Sequence, residues 1–174
     1  LNSIKFAGVD PWGKGARWSD RRFCGAASSD YQQERYFFNG TDEFHILNNY
    51  VHLQEFRYQG SFRVRYEMEE GAGGCYIPRL ILQPLVENAI LHGIDMKEKN
   101  GEIILRAKLE QDRLRLFVID NGRGMTKEQI DTLLHSKTKK TNGLSAIGVP
   151  NIKERLELYY GDKGGMVYQS SENG

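Results

Sequence analysis

Cysteine is scarce. Cys24 and Cys75 are the only two in 174 residues, and they lie too far apart to form a Cys-x-x-Cys metal or redox pair. With no secretory leader ahead of them, they are expected to be reduced thiols in a cytosolic compartment. An excess of either charge is missing too. Lys and Arg number 24 and Asp and Glu 23, a net charge of +1. No overall field therefore draws the chain to nucleic acid or to an anionic membrane surface, and any anion site has to be local. No apolar run reaches the roughly 20 residues that a bilayer-spanning helix requires. Internal repeats and low-complexity tracts are absent. What remains has the length of one well-packed domain with a short appendage, and is too short for two full domains. The sequence begins without Met and stops at Asn173-Gly174, so it is expected to be a piece of a longer polypeptide, cut short at its C-terminal end.

Residues 1–39 mix Gly, Ser, Arg and aromatics without a sustained period and are expected to be irregular. From Phe44 the pattern firms: Ile46, Leu47, Tyr50, Leu53 and Phe56 or Arg57 form one stripe of a helix ending near Gly60. Residues 62–68 alternate as a half-buried strand does, and a Gly-rich turn over 71–74 closes it. Pro78 stands where a helix could begin. Pro84 inside a continuous helix would leave the Leu80 carbonyl unpaired, at a cost on the order of 3 kcal/mol. A new helix starting at Pro84 and running to His92 removes that cost. Residues 102–110 and 113–120 read as a hairpin, with residues 117–119 apolar enough for a central strand. Thr126-Lys127-Glu128-Gln129 is a capping box opening a helix through Leu134. Residues 135–145 are polar and basic and read as a loop. Pro150 opens a last helix, buried through Ile152, Leu156 and Tyr159 and ended by Gly161, and a strand starts at Met166.

Two stretches carry the chemistry. Glu87-Asn88-Ala89-Ile90-Leu91-His92-Gly93 sets a neutral amide and an imidazole one helical turn apart in a run that is otherwise apolar on nearly every side. Such a helix is buried, so Asn88 and His92 need partners. Asp120-Asn121-Gly122-Arg123-Gly124-Met125 puts a carboxylate at the end of a hydrophobic strand, then two glycines that let the backbone approach a flat ligand closely. Taken alone, the second stretch is more often an ordinary turn, and Asn88 is as readily a satisfied core amide as a ligand. Together they read as a nucleotide site, into which an adenine ring fits.

These stretches and a third, Ala146-Ile147-Gly148-Val149-Pro150-Asn151-Ile152-Lys153-Glu154-Arg155-Leu156, stand in the order and spacing of the GHKL ATPase superfamily. The wording from Leu82 to Gly93, with Tyr159-Tyr160-Gly161 after Glu154-Arg155-Leu156, resembles its LytS-like sensor histidine kinases in particular. The resemblance covers roughly residues 41–174. It implies an ATP-binding catalytic domain over 41–174, preceded at 1–40 by a remnant of the region after the phosphoacceptor helix. The implied fold is an α+β, two-layer α/β sandwich of the Bergerat type, with helices on one face of a mixed, mostly antiparallel sheet. The other face is left for Tyr50's helix or for a partner.

The resemblance also implies roles. Asp120 accepts a hydrogen bond from the adenine amine, directly and through water, with Gly122, Gly124 and Met125 around the base. Asn88 offers its oxygen to Mg2+, which prefers oxygen ligands while bridging phosphates. Gly148, Val149 and Asn151, at the start of the last helix, cradle phosphate oxygens, although Ala146 replaces the first Gly of the family's Gly-x-Gly. His92 contacts a phosphate or the ribose, and Lys137 and Lys140 are candidates for reaching the triphosphate. Related enzymes often carry a carboxylate one turn before the metal-binding Asn. Here that position is Pro84, and Glu87 is the remaining catalytic candidate. His45 and His52 read as exposed helix residues. Leu1-Asn2-Ser3-Ile4-Lys5 resembles the segment just after the family's acceptor histidine. That histidine is therefore expected upstream, on a dimerisation helix of a homodimeric, membrane-anchored parent that passes the phosphoryl group to a response regulator. A nucleotide-binding regulatory module that has lost its chemistry, or a GHKL ATP hydrolase, are the competing functions.

Overall fold

The period of two in residues 62–68 and 101–120 builds a sheet with one buried face. The computed structural model describes residues 2–7, 36–110, 113–135, 148–161 and 164–170. In chain order the elements are β1 (Asn2–Ala7), β2 (Phe37–Asn39), α1 (Gly40–Arg57), β3 (Phe62–Met68), β4 (Tyr76–Pro78), α2 (Gln83–Asn88), β5 (Gly101–Glu110), β6 (Arg113–Asp120), α3 (Lys127–His135), α4 (Gly148–Tyr160) and β7 (Gly165–Gln169). Single turns lie at Ala72–Gly74 and Ala89–Gly93.

The strands order as β3-β5-β6-β1-β7; β3 and β5 run parallel and every other pair is antiparallel. The sheet is thus mixed and mostly antiparallel. Register decides which side chains share a face. Val64 and Tyr66 stand opposite Ile103 and Leu105, which stand opposite Asp120 and Val118. This face meets the helices, and Leu47, Val51, Leu85, Ile90, Ile152 and Leu156 close over it in one core. The reverse face carries Arg65, Glu67, Glu102 and Arg106, joined by ion pairs that include Arg65–Glu67 at 3.1 Å and Arg65–Glu102 at 3.9 Å. Such exposed pairs contribute little stability, about 0–1 kcal/mol each. The result is the α+β two-layer sandwich the motifs implied.

Local signals account for several boundaries. Asn39 caps α1 by accepting the Asp42 N–H at 2.8 Å. Thr126 and Gln129 close their capping box reciprocally, at 2.9 and 3.3 Å. Gly161, with φ +54°, ends α4.

Five expectations are corrected. Residues 1–39 are not irregular throughout, since Asn2–Ala7 forms β1 between β6 and β7, and Phe37–Asn39 pairs with β4. Neighbouring strand edges supply what six residues of weak pattern could not announce. Pro78 ends a strand instead of starting a helix; an edge position loses no ladder bond to proline. The buried stripe of α1 is Phe44, Leu47, Val51 and Gln54, while Leu53 and Phe56 are 64% and 86% exposed. Tyr50's helix packs on the helix side of the sheet, where Phe44 meets the Tyr66 ring, so it does not cover the other face. Finally, Cys75 is disulfide-bonded, so it is not a reduced thiol.

Candidate nucleotide-binding site

Helix α2 begins after Leu82, with Pro84 in its first turn, where a missing N–H breaks no helical bond. Asn88 ends it, only 4% exposed. A buried amide of this kind wants a partner. The chain then widens into a turn closed from the Ile94 N–H to the Ala89 carbonyl, five residues back, at 3.0 Å. His92 consequently emerges exposed.

Asp120 is 6% exposed and lies, by register, on the helix-facing side of β6. A side chain at Gly93 would stand 2.9 Å from its carboxylate, and one at Gly122 would stand 2.2 Å from the Gly93 carbonyl oxygen. Two missing side chains therefore let the end of the Asn88 helix press against the turn after Asp120. Arg123 fastens the contact: its backbone N–H donates to the Gly93 carbonyl at 3.0 Å and its Nε to the His92 carbonyl at 2.9 Å. Asp120 Oδ1 accepts from the Gly122 N–H at 2.9 Å. Gly124 follows at φ +76°, a conformation that favours glycine. The half-buried Met125 donates its N–H to Ser170 Oγ at 2.7 Å, tying this loop to the end of β7. The Tyr168 hydroxyl of β7 is pushed up to about 12, by burial first and by the charge of Asp120 second.

At the other end of α2, a Cβ on Gly148 would come 2.6 Å from Pro84 Cβ. The start of α4 thus abuts the first turn of the Asn88 helix, with Val149 fully buried and Asn151 half-buried. All three motifs converge on the segment from Pro84 to Gly93: the Gly148 turn at its near end, the Asp120 turn at its far end, and Asn88 between them. Lys137, Lys140 and Ala146 lie outside the described residues.

Glu87 takes a different direction. It accepts a hydrogen bond from Gln83 at 3.0 Å and lies beside the Tyr50 hydroxyl of α1, which burial and the Glu87 charge hold above its ordinary range. These neighbours place Glu87 at the α1–α2 contact. The residue that sequence reasoning missed is Glu43. It is 1% exposed and accepts the N–H groups of Leu80, Ile81 and Leu82 at 2.8, 2.7 and 3.1 Å. Burial raises its carboxyl above the usual range, against the opposing pull of those bonds and of Arg155. An acid one position ahead of the apolar stripe of α1 was the available signal.

No cluster of three or more His, Cys, Asp or Glu able to hold a metal occurs among the described residues. A cation here would be held by the Asn88 oxygen and by oxygens of the ligand, a donor set that suits Mg2+ better than a preformed protein cage would.

An α/β sandwich with an acidic residue closing its central strand, a buried Asn on the facing helix and a glycine turn at the next helix defines an ATP-binding domain of the Bergerat type. Residues 77–174 match the family described as histidine kinase-, DNA gyrase B-, and HSP90-like ATPase, and the chain belongs to that family. It is 32% identical over 125 residues to the sensor protein LytS of Staphylococcus epidermidis, covering 72% of this chain and 21% of that protein. It is 31% identical over 120 residues to the sensor histidine kinase YpdA of Escherichia coli, covering 69% and 20%. The chain thus spans about a fifth of the length of these curated relatives. The histidine kinase domain from the Erythrobacter litoralis EL346 blue-light activated histidine kinase aligns with a TM-score of 0.46 at 17% identity, over 89% of this chain and 69% of that one. Among the described residues, no helix is long and apolar enough to cross a membrane.

Proposed function

We propose that this chain is the ATP-binding catalytic domain of a sensor histidine kinase. It binds Mg-ATP and transfers the γ-phosphoryl group to a histidine on an upstream dimerisation helix, from which a response regulator receives it. The parent is a homodimer anchored in the cell membrane, with this domain on the cytoplasmic side. The observation that carries the reading is the convergence of Asp120, Asn88 and Gly148 on one short helix, through the Gly93–Gly122 and Pro84–Gly148 contacts.

In this reading Asp120 accepts the adenine amine and so selects the base, while Gly122, Gly124 and Met125 let the ring lie against backbone. Asn88 orients the cation that neutralises charge on the phosphate oxygens. Gly148, Val149 and Asn151 turn free N–H groups of the first turn of α4 toward phosphate. His92, exposed in the turn after α2, meets the ribose or a phosphate, and Lys137 and Lys140 supply further positive charge. Catalysis rests on positioning and charge neutralisation, with no protein nucleophile.

A second reading, a nucleotide-binding module without transfer chemistry, draws support from Pro84 one turn before Asn88 and from the turn of Glu87 toward Tyr50. Radiolabelled ATP offered together with the upstream histidine helix in trans separates the two. A kinase labels that helix and leaves its His→Ala form unlabelled; ATP binding with no label on the helix would favour the regulatory module.

A further inference from the structure

Glu43 belongs to none of the three motifs, yet its carboxylate is enclosed and bonded to three successive backbone N–H groups, those of Leu80, Ile81 and Leu82. A charge is retained in such a place only where its lone pairs are taken up. Leu82 is the cap residue of α2. Leu80 has φ +55°, which a leucine rarely adopts, so this segment needs an outside partner to hold its course. The same segment is gripped from α4, where Arg155 Nη2 donates to the Arg79 carbonyl at 2.7 Å, and from β2, where the Arg79 guanidinium lies 4.0 Å from the Phe38 ring centroid. Two helical turns beyond Glu43, on the same face of α1, Tyr50 stands beside Glu87. One face of α1 thus holds both the start and the flank of the helix that ends in Asn88.

We propose that Glu43 is a positioning residue of the nucleotide site: its buried carboxylate fixes the backbone of residues 80–82, and through it the placement of Asn88 and of the Pro84–Gly148 contact, without touching the ligand. This rests on the ATP-binding reading above. Because Asp120 stands on β6 and its carboxylate accepts the Gly122 N–H, the adenine end is anchored in the sheet, and Glu43 acts on the phosphate and cation end of the site.

The test compares wild type, Glu43→Gln and Glu43→Ala for binding of Mg-ATP, binding of adenosine, and exchange of the 80–82 amide hydrogens. Gln keeps one carbonyl for the Ile81 and Leu82 amides but turns an NH2 toward Leu80. Mg-ATP binding is expected to weaken roughly tenfold in Glu43→Ala and by less in Glu43→Gln, while adenosine binding stays within about twofold. Exchange at residues 80–82 quickens in the same order. Equal weakening of both ligands would make Glu43 a prop of the whole fold and overturn the proposal, as would fast exchange with Mg-ATP binding unchanged. Should Glu43→Ala fail to fold, the ratio of the two ligands in Glu43→Gln decides alone. Wild-type protein that binds neither ligand would overturn the ATP-binding reading together with this proposal, a result distinct from a wild type that binds and a Glu43→Gln ratio that does not move.

Discussion

At Gly122 a single added carbon would meet the Gly93 backbone at 2.2 Å, and at Gly148 it would meet Pro84 at 2.6 Å. Neither neighbour is the loose end of a flexible side chain, so the backbone itself has to shift. Gly122→Ala is therefore expected to separate the Asp120 turn from the end of α2 and to weaken ATP binding by about tenfold or more, from an overpacking strain of roughly 1–3 kcal/mol. Gly148→Ala acts at the phosphate end and should weaken Mg-ATP more than adenosine. Isothermal titration of both variants with the two ligands checks this, and unchanged affinities would contradict the packing account. That the Asp120, Asn88 and Gly148 stretches would lie close together was legible because three motifs in one order carry what none of them carries alone. The environment of Glu43 was not legible, because its partners are backbone amides 37 to 39 residues away, and backbone leaves no mark on the letters.

The phase of α1 is a lesson at the scale of the element. Apolar residues occur at 44, 47 and 51 and also at 46, 50, 53 and 56, so two stripes of nearly the same spacing compete and the letters do not choose. The choice falls to tertiary contacts: Glu43 must face the 80–82 amides, and that turns Leu53 and Phe56 outward. Leu47→Ala is expected to destabilise the protein by about 2–5 kcal/mol, and Leu53→Ala to stay within about 0.5 kcal/mol of wild type. Urea unfolding measures both, and similar losses at the two positions would restore the discarded phase. Elsewhere the elements kept closely to their signals, from the residue 101–120 hairpin to the capping box at Thr126. The exceptions are β1, whose strand character comes from the two ladders on either side of it, and the short β2–β4 pair, where Pro78 ends a strand.

For the whole molecule, the mixed sheet under a helical layer was inferable from the order of the motifs. What set the partition of faces was register, which the hairpin fixes and which carries Asp120 to the helix side. The helix layer also encloses tyrosines, with a consequence for stability against pH. Burial pushes Tyr66 and Tyr168 up to about 12 from an ordinary value of 10, and pushes Tyr50 and Tyr160 higher still. Between pH 10 and the raised values the unfolded chain has lost protons that the folded chain retains, so stability falls as pH rises. It should be intact at pH 9 and decline steadily through pH 10 to 12, with a shallower decline in Tyr160→Phe. Urea midpoints at pH 9, 10 and 11 give the slope; a flat profile would mean that these hydroxyls titrate alike in both states.

The central claim is that Asp120 and Asn88 serve one ligand from two sides. Its most direct measurement is a fluorescent-ATP titration of wild type, Asp120→Ala and Asn88→Ala, each with and without Mg2+. The expected result is Mg-enhanced binding by wild type, near-complete loss in Asp120→Ala under both conditions, and in Asn88→Ala binding that persists without responding to Mg2+. Binding by Asp120→Ala equal to wild type, or a full Mg2+ response in Asn88→Ala, would contradict it.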